Sequence, residues 1–348
     1  MSVGKSVYLV IGTLFLAIFL IGCEGDQGPA GPNGFDGPDG PDGPDFTPSP
    51  IATQTFSLMI NNGTTADFNG AAKIEITSDA NATPSASRVV AKLLSKSPTL
   101  DGIDRGTAEW GDALPSDIAL TNLFGADNGI TTARVRVGYD RNYVYAQFVW
   151  TETATGSFTV NADTTANIWR FNGSAWSRSG GEDRLFVAWD KNGVTGWEAN
   201  GISSIFDGAT FKTQAAGERA DLWVWQSTRS YYATAAEDNV VKFSDTDGLA
   251  SDVGAGLAFE NDGVSGHPRF MKSNSPRTGS AYPLLAFDYA AYASGITWST
   301  GATIPGYITL VPTGSAADVR AVATFFSDTW IVELRRARNT GNADDLAL

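Results

Sequence analysis

"ARVRVGYDRNYVYAQFVW", residues 133–150, carries the first clear statement of fold. Two runs of alternating apolar and polar residues flank Asp140-Arg141-Asn142, and the pattern predicts two antiparallel strands joined by a tight turn. Working outward, "RLFVAWD" (184–190), "DLWVWQS" (221–227) and "GYITLVP" (306–312) are further strand candidates. "VRAVATFFSDTWIVELRRA" (319–337) repeats the hairpin pattern around Ser327-Asp328. No stretch holds a sustained helical period, and Gly, Asn and Asp punctuate the runs, so the expected class is all-β: an antiparallel sandwich with long loops.

Length and charge bound the function. A chain of 348 residues with 42% hydrophobic content can bury a large core, as one domain or two. Its formal charge of −14 argues against nucleic acid or an anionic lipid surface as main partner, because like charges repel. A single cysteine, Cys23, excludes internal disulfides, Cys-based zinc sites, iron–sulfur clusters and covalent c-type haem attachment.

The N-terminal segment reads as an address and a spacer. Residues 1–22 combine Lys5 with an apolar run, Val7 to Ile21, too short for a comfortable span and typical of a secretion signal. The ending Leu20-Ile21-Gly22-Cys23 resembles a bacterial lipoprotein signal, which implies lipidation of Cys23 and anchoring in the cell envelope. Glu24 in place of an inner-membrane retention aspartate favours the outer membrane. Residues 23–45 continue as GDQ GPA GPN GFD GPD GPD GPD, the Gly-x-y period of collagen. Two readings stand: a homotrimer through a triple helix, or a single-chain polyproline stalk of about 3.1 Å per residue. The uncompensated acids Asp36, Asp39, Asp42 and Asp45 favour the stalk, since three such chains would repel. Residues 46–87 read as a Ser/Thr/Pro-rich linker with strands such as Lys73–Thr77, and the compact domain is expected over 88–348.

The order of short motifs across this domain is informative. "SPTLDGIDRGTAEWGDA" (97–113) precedes the first hairpin, followed by "GEDRLFVAWD", "ADLWVWQ", "GHPRFM" (266–271) and "TWIVELRRARNTGNADD" (329–345). The series resembles the haem-binding domain family of ethylbenzene dehydrogenase and dimethyl sulfide dehydrogenase gamma subunits and related cytochromes. The resemblance implies a β-sandwich holding one non-covalent b-type haem, an electron-transfer role beside a redox partner protein, and no catalysis of its own. It also implies a methionine axial ligand, for which Pro268-Arg269-Phe270-Met271 offers Met271. A thioether favours reduced iron and raises the potential. The lone histidine, His267, is the alternative ligand. Lys272 is expected to point away from the Met271 face, and the last hairpin offers Arg335, Arg336 and Arg338, which do not ligate iron. The family's axial lysine therefore has no assigned counterpart, and the chain reaches Leu348 where further strands are expected.

Two other constellations complete the reading. "SDTDGLASDVG" (244–254) sets Asp245, Asp247 and Asp252 around Gly248, a calcium candidate whose spacing departs from the EF-hand loop and whose plainer reading is a solvated acidic turn. Asp183 and Asp221 are expected to make structural hydrogen bonds. Trp223 and Trp225 share one strand face and, if exposed, would stack on sugar rings. The alternative to a haem carrier is thus a non-redox carbohydrate- or protein-binding surface module that keeps the sandwich. One histidine completes no Ser-His-Asp set, and no phosphate loop or zinc motif is present, so the expectation is no enzyme.

Overall fold

A computed structural model describes residues 48–62, 68–123, 129–152, 167–178, 181–264, 266–274, 277–280 and 282–348. Cys23 and the Gly-x-y repeat lie outside the described residues. Strands dominate. The first stretch forms β1 (Gln54–Asn62), β2 (Phe68–Thr77), β3 (Arg88–Val90), β4 (Lys92–Leu93), β5 (Ser116–Ala119), β6 (Thr132–Tyr139) and β7 (Tyr143–Thr151). Then follow β8 (Ile168–Phe171), β9 (Trp176–Arg178), β10 (Asp183–Asp190), β11 (Arg219–Gln226), β12 (Glu237–Lys242) and β13 (Leu249–Ser251). Short strands come next: β14 (Ala258–Glu260), β15 (Gly263–Val264), β16 (His267–Pro268), β17 (Phe270–Lys272), β18 (Tyr289–Ala291), β19 (Thr303–Pro305) and β20 (Tyr307–Thr309). The chain closes its sheets with β21 (Arg320–Phe326) and β22 (Thr329–Ala337).

Two sheets form the expected sandwich. One has seven strands in the order β13-β12-β11-β10-β1-β2-β3, the other six, β21-β22-β7-β6-β4 with β5 also on β6. Pairing is antiparallel except for β2 with β3 and β4 with β6. Alternation explains the assignment: on β11, Trp223 and Trp225 enter the cluster shared with Val135, Phe148, Trp150 and Trp330 of the second sheet. Leu222 and Val224 face the other way, into a second cluster with Trp197, Ile202 and Phe206. Both faces of the seven-stranded sheet are therefore buried along its middle strands.

The turns follow from local chemistry. Asp140 Oδ1 accepts hydrogen bonds from the backbone N–H of Asn142 (2.9 Å) and Tyr143 (2.8 Å), an Asx turn that closes β6 onto β7. Between β21 and β22, Ser327 and Asp328 have φ of 48° and 60°, the left-handed pair that matches the twist of a two-residue hairpin.

The domain start differs from the sequence expectation. Residues 54–62 and 68–77 are sheet strands, not linker: β1 lies between β10 and β2, with Leu58 opposite Val187 on one side and a register shift between Met59 and Ile60 on the other. Their polar content misled because both faces are covered. Ser57 Oγ accepts from Ile202 N–H at 3.0 Å, and Trp197 Nε1 donates to Thr55 Oγ1 at 3.0 Å. Met59, expected to precede the domain, is fully buried beside Phe186 and Leu222. The last strand, β22, is an inner strand with β7 and β21 on its sides. Among the described residues no helix is long and apolar enough to cross a membrane.

Candidate functional site

Met271 sits outside the sandwich, on β17, which pairs with β18 so that Met271 lies opposite Ala290. The buried Asn261 fixes this strand: its Oδ1 accepts from Phe270 N–H (2.8 Å), and its Nδ2 donates to the carbonyls of Phe270 (3.0 Å) and Pro305 (2.8 Å). The thioether side chain is 6% exposed and belongs to a cluster with Trp169, Trp176, Trp298 and Ile304. Sulfur–indole packing of this kind is a favourable core arrangement in its own right.

His267 reaches the same neighbourhood through Tyr292. Its ring stacks on Tyr292 at 4.0 Å between centroids, and its Nδ1 lies 2.8 Å from the Pro268 carbonyl. Tyr292 in turn accepts from Trp176 Nε1 at 3.0 Å and stacks over Trp298. Lys272 points to the other side of β17, where its Nζ meets Asp288 at 3.1 Å. The fold thus gathers Met271 and His267 at one aromatic cluster, while Lys272, the neighbouring lysine, is turned away to Asp288.

The space between the sheets gives the second half of the test for a macrocycle. Trp150, Trp225 and Trp330 meet there at centroid distances of 4.8 to 6.3 Å. The cavity lined by Phe56, Val137, Phe148, Trp189 and Trp223 measures about 10 Å³, about the threshold for a single water. A larger open groove of about 540 Å³, along Ile205, Phe206, Lys212, Gln214 and Phe243, contains neither Met271 nor His267. The residues present at Met271 do not fit a haem.

All ten tryptophans are buried, so Trp223 and Trp225 form no sugar platform. They are core residues, with the Arg336 guanidinium 5.0 Å from the Trp223 ring.

Asp183 Oδ2 accepts from Trp330 Nε1 at 3.0 Å, tying the two sheets together. Asp221 Oδ2 accepts from Arg336 Nη1 (2.6 Å) and Leu346 N–H (2.8 Å). Glu333, which sequence reasoning passed over, is buried on β22. It accepts from Gly102 N–H (2.9 Å), Asp101 N–H (3.0 Å) and Gln147 Nε2 (3.0 Å), and so pins the "LDGID" loop to the sheet.

The calcium triad read from the sequence does not assemble. Asp245 and Asp247 are exposed, and Asp247 Oδ1 caps Leu249 N–H at 3.0 Å. Asp252, just past β13, is buried and instead meets Asp344 and Asp345 of the C-terminal tail. Asp345 also shares a group with Asp221 and Asp238, whose carboxylate oxygens lie within 4.8 Å of one another. Burial, with the neighbouring carboxylates of Asp344 and Asp345, pushes the Asp252 carboxyl up to about 7. Asp238 is raised well above the ordinary range by burial and by Asp221. The tail acids were visible in "TGNADD", but nothing in their spacing links them to a residue some ninety positions earlier.

Fold and site together define an all-β sandwich protein with short-stranded outer loops. A family model described as ethylbenzene dehydrogenase matches residues 110–348, and the chain belongs to that family. No curated protein matches the chain. Gamma subunits of this family are associated with haem b, the cofactor expected from the motif series.

Proposed function

We propose that this chain is an exported lipoprotein, anchored through Cys23, whose Gly-x-y stalk carries a haem-free family sandwich that acts as a non-redox surface module. The observation that carries this reading is the filled interior. Indoles occupy the space between the sheets, and Met271 packs among Trp169, Trp176 and Trp298. The cavity of about 10 Å³ between the sheets, among the described residues, is far too small for a macrocycle unless core side chains move.

Burial of every tryptophan turns the module away from sugar stacking and towards a protein partner. The single histidine, stacked on Tyr292, supports a role without catalysis. The lipoprotein ending at Cys23 and the absence of a retention aspartate at Glu24 favour the outer membrane. The acids of the repeat support a monomeric stalk.

Family membership favours a second reading, a b-type haem electron carrier. Absorbance of protein isolated from its host separates the two. A haem-free spectrum is expected; a stoichiometric Soret band with a reduced α-band, altered in Met271→Ala, overturns the proposal. For the anchor, Cys23→Ser is expected to move the protein from the membrane to the soluble fraction, and retention on the membrane would contradict lipidation at this cysteine.

A further inference from the structure

Beneath the C-terminal tail, one end of the sandwich holds more buried carboxylates than it has donors for. Asp238 is 1% exposed and Asp252 5% exposed, and neither carboxylate has a hydrogen-bond partner on either oxygen. Asp221 Oδ1 and Asp345 Oδ1 are likewise without one. Two cations lie near: Arg336, engaged by Asp221 at 2.6 Å and 3.6 Å from Asp345, and Lys191, whose Nζ donates to the Asp345 backbone carbonyl. They cannot neutralise Asp221, Asp238, Asp252, Asp344 and Asp345 together. A buried ionised carboxylate without a partner is strongly unfavourable, so these groups must take up protons or a cation.

The geometry favours a cation. The facing oxygens of Asp252, Asp344 and Asp345 lie within 4.8 Å of one another. Oxygens bound to one Ca²⁺ at 2.3–2.6 Å are at most about 5 Å apart, so a single ion reaches all three. The ligands are all oxygens, without imidazole or thiolate in the group, which selects a hard ion over zinc or copper. An irregular set of carboxylates drawn from a loop and a tail suits the adaptable coordination of calcium better than the octahedron of magnesium.

We propose that the acidic pocket under the C-terminal tail binds one calcium ion through Asp252, Asp344 and Asp345, of which Asp345 also adjoins Asp221 and Asp238. The ion clamps the tail onto the β12–β13 edge of the seven-stranded sheet. Arg336 Nη2, donating to the Leu346 carbonyl at 2.9 Å, holds the tail in register from the other side.

The test is calorimetric titration of CaCl2 into the full chain after chelator treatment, with thermal melts in parallel. Extracellular calcium modules bind at about 0.1–1 mM, so titration to about 10 mM covers the range. One ion per chain is expected, with a melting temperature several degrees higher in CaCl2 and restored to its starting value by EDTA. Asp344→Asn, a half-buried rim substitution, should weaken binding about 10-fold. Asp252→Asn should abolish the calcium response while raising the melting temperature in EDTA, because it removes a buried charge. Absence of saturable heat with an unchanged melt overturns the site. So does an equal response to CaCl2 and MgCl2 that survives in Asp344→Asn, since that is ordinary screening of a charged protein.

Discussion

Glu333 and Asp238 are both buried carboxylates on inner regions of the sandwich, and the fold treats them in opposite ways. Glu333 receives two backbone N–H groups and one amide, so its charge is met by donors. Asp238 receives none. The same contrast separates the two ends of the molecule. At one, Asp183 accepts from Trp330 and the indoles of Trp150, Trp225 and Trp330 close the core. At the other, Asp221, Asp238, Asp252 and Asp345 crowd a single guanidinium. A satisfied acid is part of the structure; an unsatisfied one needs an outside partner.

Substitutions on the two sides should therefore differ in size and in sign. The largest loss is expected for Trp330→Ala, which empties the centre of the indole cluster and should cost about 3–5 kcal/mol in chemical denaturation. Glu333→Ala comes next: it strands the N–H groups of Asp101 and Gly102 and should cost about 1–3 kcal/mol. Trypsin cleavage after Arg105 should rise with it. Asp238→Asn reverses the sign. In chelator it should stabilise the fold by on the order of 1 kcal/mol, since a neutral amide replaces a charge without donors. A loss equal to that of Glu333→Ala would erase the distinction between the two acids.

A further effect is one of pH. Asp252 is raised to about 7 and Asp318 to about 6, in each case first by burial and then by neighbouring carboxylates. The folded state thus binds protons that the unfolded chain releases near pH 4. Stability in EDTA should fall as pH rises from about 4 through 7, with Asp221, Asp238, Asp344, Asp345 and Arg336 facing the same titrating groups. A melt that is flat across this window, or rises, would show that the acids are neutralised from within the fold.

The strands were legible where one face is core and the other polar, as in 133–150, or where a two-residue turn punctuates two apolar runs, as at Ser327-Asp328. β1 was not, because a strand covered on both faces places Ser57 and Thr55 against hydrogen-bonding neighbours and loses the simple alternation, whereas the Lys73–Thr77 part of β2 was. Trp223 and Trp225 were correctly placed on one face, but alternation does not say whether a face meets solvent or a second sheet. The family was legible from motif order, and the match over residues 110–348 agrees with it. The acidic pocket was not, since Asp238, Asp252 and Asp345 come from a strand, a loop and the tail. Only the sandwich closure brings them together.

The filled interior of this family sandwich underlies the proposal that it carries no haem. Its most direct test is the absorption spectrum of the intact protein purified from its own host, oxidised and then dithionite-reduced. Strong indole absorbance without a Soret band and without a reduced α-band is expected. One b-type haem per chain, retained through purification, would contradict it.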